Sequence, residues 1–203
     1  MKRALVVIDV QNEYFTGALP IAHPPRKESL ANVLTAMDGA REHGVPVVVV
    51  RHTAPASSPI FASGGPGWEL REEVAGRPYD RLMDKTRASA FAETDLGAWL
   101  EARGVDTLTV AGYMTQNCDE STARDAFHRG LAVEFLADAT GTVALSNRAG
   151  TLTARQVHEH VLVVMDSNFA SVATTAEWAA AVEAGEPLPL TGIWASTRGS
   201  SPA

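Results

Sequence analysis

The sequence predicts an α/β protein, a three-layer α/β/α sandwich around a mainly parallel sheet. Three observations point there. Short apolar runs rich in valine recur along the chain, too continuously apolar to leave one face in water. Stretches with apolar residues at helical spacing lie between them. The alternation repeats about six times, with no internal repeat, low-complexity segment or linker.

Residues 4–10 (ALVVIDV) read as a buried strand with Asp9 at its C-terminal end. In an open parallel sheet, ligands bind outside the carboxyl ends of the strands, so an acid there is placed for chemistry. A turn or capping aspartate is the lesser alternative. Residues 17–25 form a loop with three prolines. Residues 27–43 read as an amphipathic helix, with Leu30, Val33, Leu34, Met37 and Ala40 on one face and Gly44 as its stop. Residues 45–50 are a second strand, with Arg51 and His52 at its edge. The loop 53–66, rich in Pro, Ser and Gly, reads as a pocket wall or lid, with Phe61 and Trp68 either its aromatic contacts or the side chains that pack it down on the core. Residues 68–74 read as a short helix. Residues 81–85 read as a third strand with Lys85 at its end.

Thr94 caps the next helix, which carries Leu96, Trp99 and Leu100 and stops at Gly104. Residues 105–110 read as a strand and 119–129 as a helix, capped by Thr115 or Asn117. Residues 131–137 are a fifth strand, 147–160 a helix, 161–165 a sixth strand and 175–184 a last helix. One domain over residues 1–187 and a loose tail over 188–203 complete the expectation.

The chain has 203 residues, 45% hydrophobic and 20% charged, which suits one globular domain with a sizeable core. A formal charge of −7 and a pI near 5.3 argue against nucleic acid or an anionic membrane as partner. No run of about 18 apolar residues spans a membrane. The first apolar run is too short for a signal peptide. The single cysteine excludes an internal disulfide and fits a reducing cytoplasm.

That cysteine, Cys118, falls at a strand-to-helix turn, where unpaired N–H groups and the helix dipole favour a thiolate. Position alone leaves it equally well read as an inert core residue. Partners decide. Asp9, Lys85 and Cys118 each close a strand. If those strands are central neighbours, an acid, an ammonium and a thiol meet at one sheet edge. A nucleophile with a general base beside it is what acyl transfer requires.

The chain resembles the isochorismatase-like cysteine hydrolases. The matching pieces are Leu5-Val6-Val7-Ile8-Asp9-Val10-Gln11-Asn12, Lys85-Thr86-Arg87-Ala88-Ser89-Ala90-Phe91, and Ala111-Gly112-Tyr113-Met114-Thr115-Gln116-Asn117-Cys118 running on to Ala126. They appear in family order and span roughly residues 3–180. The resemblance implies a six-stranded parallel sheet with helices on both faces. It makes Cys118 the nucleophile, Asp9 the general acid/base and Lys85 their electrostatic partner. It also implies a non-proline cis peptide between Tyr113 and Met114, with the Met114 and Cys118 N–H groups as the oxyanion hole. True isochorismatases look like relatives with aspartate at the thiol position, so Cys118 points to amide hydrolysis. Nicotinamidases look like relatives with an Asp-x-His metal motif after the second strand. Here that place reads Arg51-His52-Thr53-Ala54. No metal and no cofactor are therefore expected, and nicotinamide is disfavoured as substrate.

The expected activity is cleavage of a C–N bond in a small amide, ureide or lactam through an acyl-enzyme on Cys118. Substrate contacts are expected from Tyr14, His52, Trp68, Phe91 and Gln116. Family resemblance implies a homodimer or homotetramer. A thiol-based redox sensor is the alternative, but no second cysteine is present to resolve it. A dinucleotide-binding module fits poorly, because no G-x-G-x-x-G follows the first strand.

Overall fold

Six parallel strands form one sheet, and their order places the two ends that matter side by side. The computed structural model describes residues 1–199. In chain order the elements are β1 (Arg3–Ile8), α1 (Arg26–Glu42), β2 (Val47–His52), α2 (Glu72–Ala75), β3 (Arg81–Lys85), α3 (Leu96–Glu101), β4 (Thr107–Tyr113) and α4 (Glu120–His128). There follow β5 (Ala132–Gly141), β6 (Leu145–Asn147), β7 (Gly150–Leu152), α5 (Ala154–Val164), β8 (Ser171–Ala173), α6 (Thr175–Ala184) and α7 (Gly192–Arg198). The main sheet runs β3-β2-β1-β4-β5-β8, every pair parallel. Chain direction across the sheet reverses between β1 and β4, so their carboxyl ends flank the topological switch point.

β1 is buried along its whole length. Its alternate residues serve two cores. Ala4, Val6 and Ile8 pack with Leu96, Trp99, Leu100, Ala123, Ala126 and Val161 on one face. Leu5 and Val7 pack with Leu30, Val33, Met37, Ala40 and Trp178 on the other. Continuous apolarity in the strand thus follows from helices on both sides. Gly112 lets β4 lie against β1 near the site. Its φ is +126°, and a Cβ there would fall 2.0 Å from the Ile8 carbonyl oxygen.

A buried ion pair ties the C-terminal region to the sheet. An Arg3 Nη2 atom lies 2.8 Å from Glu134 Oε1. Thr109 Oγ1 and Trp178 Nε1 donate to Glu134 Oε2 at 2.8 and 2.9 Å. Arg3→Met leaves Glu134 charged and buried without its cation. The expected loss is about 3–5 kcal/mol of stability, read from urea denaturation.

Four local expectations differ from the structure. Residues 161–165 are not a strand but the end of α5 and the turn after it. Val157, Val161 and Met165 are buried four residues apart, whereas Val163 is 69% exposed. That is helical periodicity inside a run of valines, which a short apolar stretch conceals. The sixth strand is β8. The expected helix at 147–160 begins only at Ala154, where Thr153 and Gln156 form a capping box. The β6–β7 hairpin precedes it. Of the expected helix at 68–74, only Glu72–Ala75 forms. In the expected tail, residues 192–198 form α7, and residues 200–203 lie outside the described residues.

Candidate active site

Asp9 follows β1 directly and has φ +52°, a left-handed conformation tolerated by a short polar side chain. Its N–H donates to the Val50 carbonyl at 2.8 Å, which fixes it against the end of β2. Lys85 ends β3, opposite His52 in β2. β4 ends at Tyr113, the Tyr113–Met114 peptide is cis, and a single wide turn, Thr115–Asp119, carries Cys118 into α4. Neither Thr115 nor Asn117 caps α4 as expected. The turn runs straight into the helix, and the Asn117 and Asp119 N–H groups both return to the Met114 carbonyl, at 2.9 and 3.3 Å.

These three ends converge on the Lys85 ammonium. Nζ lies 2.7 Å from Asp9 Oδ2 and 3.2 Å from Cys118 Sγ. It also donates to the Arg87 carbonyl at 3.0 Å and lies 3.3 Å from His52 Nδ1. Asp9, Lys85 and Cys118 are 0%, 2% and 4% exposed. Lys85 is the cation paired with the Asp9 carboxylate, and the Cys118 thiol lies within hydrogen-bonding reach of the same carboxylate. An ammonium has no lone pair to offer, so His52 Nδ1 must accept and Nε2 carries the ring proton. Burial and then the Lys85 charge hold the His52 pKa below its usual value, consistent with a neutral ring.

Electrostatics at the sulfur differ from the expected thiolate. Burial and then the Asp9 charge push the Cys118 thiol well above its usual pKa, and Lys85 opposes them without prevailing. The resting sulfur is therefore a thiol with a carboxylate close by. Burial works against charge on Lys85, but its pairing with the Asp9 carboxylate works the other way and its pKa is raised. Lys85 is an ammonium throughout.

The other expected contacts divide. Tyr14 sits in the turn after β1, nearly buried, with its ring 5.2 Å from Phe61 and 5.5 Å from Tyr113. His52 touches Lys85 and meets Phe61 edge-on at 5.3 Å. Phe61 also lines a cavity of about 410 Å³ between residues 13–18 and 59–67. Trp68 packs its own loop down. Its Nε1 donates to Thr53 at 2.8 Å, and Arg51 stacks 3.6 Å over the ring. Gln116 is tethered, its Oε1 accepting from Thr142 Oγ1 at 2.5 Å. Phe91 lies in the apolar core, with Arg129 over its ring.

Sequence reasoning overlooked three supports. Gln11 donates to the His52 and Trp68 carbonyls at 2.9 and 2.7 Å and accepts from the His52 N–H at 2.8 Å. It pins the end of β2 to the loop, and its place two residues after Asp9 was the available signal. Asp119, next to Cys118, is wholly buried. His158 in α5 holds Thr115, whose Oγ1 lies 2.9 Å from its Nδ1, and the ring also bonds the Ala137 carbonyl. The His158–Thr115 contact left no trace in spacing, because it joins residues 43 positions apart.

His158 is 3% exposed, and burial followed by the nearby His23 lowers its pKa to about 4. The unfolded chain binds this proton near pH 6.5, the folded chain only near 4. Its contribution is complete above pH 6.5 and is lost as pH falls towards 4, amounting to about 3 kcal/mol. Urea denaturation at pH 7 and pH 4 should show a smaller difference in His158→Gln than in the wild type.

Comparison with known proteins fits this geometry. Residues 3–177 match the isochorismatase domain model. A crystal structure of a provisionally assigned isochorismatase from Burkholderia xenovorans LB400 superposes with a TM-score of 0.96, at 56% identity over 97% of this chain and 94% of that one. Nicotinamidase 3 of Arabidopsis thaliana is 36% identical over 152 residues, 68% of this chain and 73% of its own length. Streptothricin hydrolase of Streptomyces noursei is 36% identical over 140 residues, 69% of this chain and 50% of its own length.

Proposed function

The chain belongs to the isochorismatase family of hydrolases, and we propose that within it this protein is a cysteine amidohydrolase. It cleaves a C–N bond of a small amide, ureide or lactam; one relative is named a nicotinamidase and another a streptothricin hydrolase. One observation carries the reading. A single buried ammonium lies within 2.7 Å of a carboxylate and 3.2 Å of a thiol, delivered by three separate strand ends.

The proposed steps follow from that arrangement. Cys118 attacks the substrate carbonyl as its proton passes to Asp9. The backbone N–H groups of Met114 and Cys118 receive the developing oxyanion, each such donor being worth about 3 kcal/mol of barrier. Asp9 returns the proton to the departing amine. Water, deprotonated by Asp9, then cleaves the thioester, and the proton goes back to sulfur. Lys85 pairs with Asp9 between these steps and offsets charge on the sulfur. Phe61 packs against Tyr14 and His52, and His52 touches Lys85, so these side chains are the link between the triad and the 410 Å³ cavity beside Phe61, which no triad residue lines. Trp68 and Gln116 are the further candidate contacts, whereas Phe91 packs in a different core cluster from Tyr14 and Phe61. The same reading has the protein working in the cytoplasm as a homodimer or homotetramer, without nucleic acid or membrane. No described helix is long and apolar enough to cross a membrane.

A panel of small amides and ureides, with released ammonia or amine measured, tests the reading. Turnover that one equivalent of a thiol-blocking reagent titrates to zero is the expected result. A redox-sensing role would instead give no turnover with any member, and peroxide would modify Cys118 at low concentration.

A further inference from the structure

Asp119 is the acid that the mechanism leaves unused. It is 0% exposed, and neither carboxyl oxygen has a hydrogen-bond partner among the described residues. It follows Cys118 in the same turn, within the electrostatic reach of Asp9, Lys85, Cys118, Tyr14 and Tyr113. The buried charge count is uneven. Two carboxyl groups, Asp9 and Asp119, share a site with one ammonium, and that ammonium is committed to Asp9 and Cys118. An ionised carboxylate buried with no partner is far too costly, so at rest Asp119 holds a proton. Burial and then Asp9 push its carboxyl well above the usual range.

The nearby cations are also committed. Arg51, beside His52, pairs with Asp84 at 2.7 Å. Arg87, whose carbonyl holds Lys85, pairs with Glu93 at 3.0 Å. Arg124 on α4 pairs with Glu120 at 2.7 Å. In the resting protein each of these three guanidinium groups already faces a carboxylate.

Resting on the amidase reading, we propose that Asp119 sets the charge class of the substrate: amides carrying an ammonium or guanidinium group near the scissile carbonyl are preferred, neutral ones are taken less well, and those bearing a carboxylate are turned away. A cation that reaches the pocket pairs with the Asp119 carboxylate while the displaced proton leaves to solvent. A substrate carboxylate would add a third acid to the same small volume, where the one ammonium is already committed.

Three amides on one skeleton test this: 3-aminopropanamide, butanamide and succinamate. kcat/KM is measured from ammonia release for the wild type, Asp119→Asn and Asp119→Val. A second readout needs no turnover. It is the rate of Cys118 alkylation by 2-bromoethylammonium relative to iodoacetate. The expected result is a preference for the cationic amide over succinamate that falls about tenfold or more in both variants, mainly through KM, with a parallel fall in the alkylation ratio. Preferences and alkylation ratios unchanged in the variants overturn the proposal. If no amide in the set turns over, the amidase reading loses support, while the alkylation ratio still decides the role of Asp119. The isosteric Asn variant keeps the test decisive if the Val variant fails to fold.

Discussion

Cys118→Ala should lower amide turnover by about 10⁴-fold or more, while leaving the fold and substrate binding in place. The size follows from the role. Removing the nucleophile of a covalent mechanism leaves only binding and oxyanion stabilisation. The fold should survive because Asp9 still has Lys85 at 2.7 Å, so no buried charge is orphaned. Cys118→Ser should be nearly as inactive. Its hydroxyl is a far weaker acid than a thiol, and Asp9 is the only base close to it among the groups described. Ammonia release measures the first effect, and substrate protection against thermal unfolding measures retained binding. An alanine variant with activity near that of the wild type would point to attack by water activated at Asp9, without an acyl-enzyme.

Lys85→Met should damage both stability and activity. The methionine matches the stem but leaves Asp9 buried without a counter-ion, an arrangement that costs about 3–5 kcal/mol. Asp9 then takes up a proton to avoid that cost and ceases to be a base. Activity should fall by about 10³-fold, a loss within the reach of a general base. The double variant Asp9→Asn with Lys85→Met separates the two effects. With neither charge present, most of the stability should return while activity stays absent. Urea denaturation and ammonia release on the same preparations report the two quantities. Additive stability losses in the double variant would mean that the two side chains do not depend on each other.

Which parts of this were legible in the sequence follows from how local each signal was. The central strands β1, β2 and β4 announced themselves, because strands covered on both faces must be apolar throughout. The convergence of Asp9, Lys85 and Cys118 was legible because each falls at or just past a strand end, where a parallel sheet presents its ligand edge. Val161 to Met165 misled because a run of β-branched residues looks the same in a buried strand and on the inner side of a helix. Only the exposure of Val163 and the Thr153 capping box resolve it. The protonation state of Cys118 was also misjudged. A turn leading into a helix favours thiolate in general, but here burial and Asp9 prevail, and burial cannot be read from spacing. Asp119 and the His158–Thr115 contact stayed hidden for the same reason, since both depend on which side chains the fold encloses together.

The central claim is that substrate becomes covalently attached to the sulfur of Cys118. Mass analysis of peptides from enzyme quenched during turnover of an accepted amide tests it most directly. The account predicts that the peptide containing Cys118 gains the mass of the acyl portion, and that hydroxylamine removes it as the hydroxamate. Undiminished turnover by Cys118→Ala, with no adduct on the wild-type peptide, would contradict it.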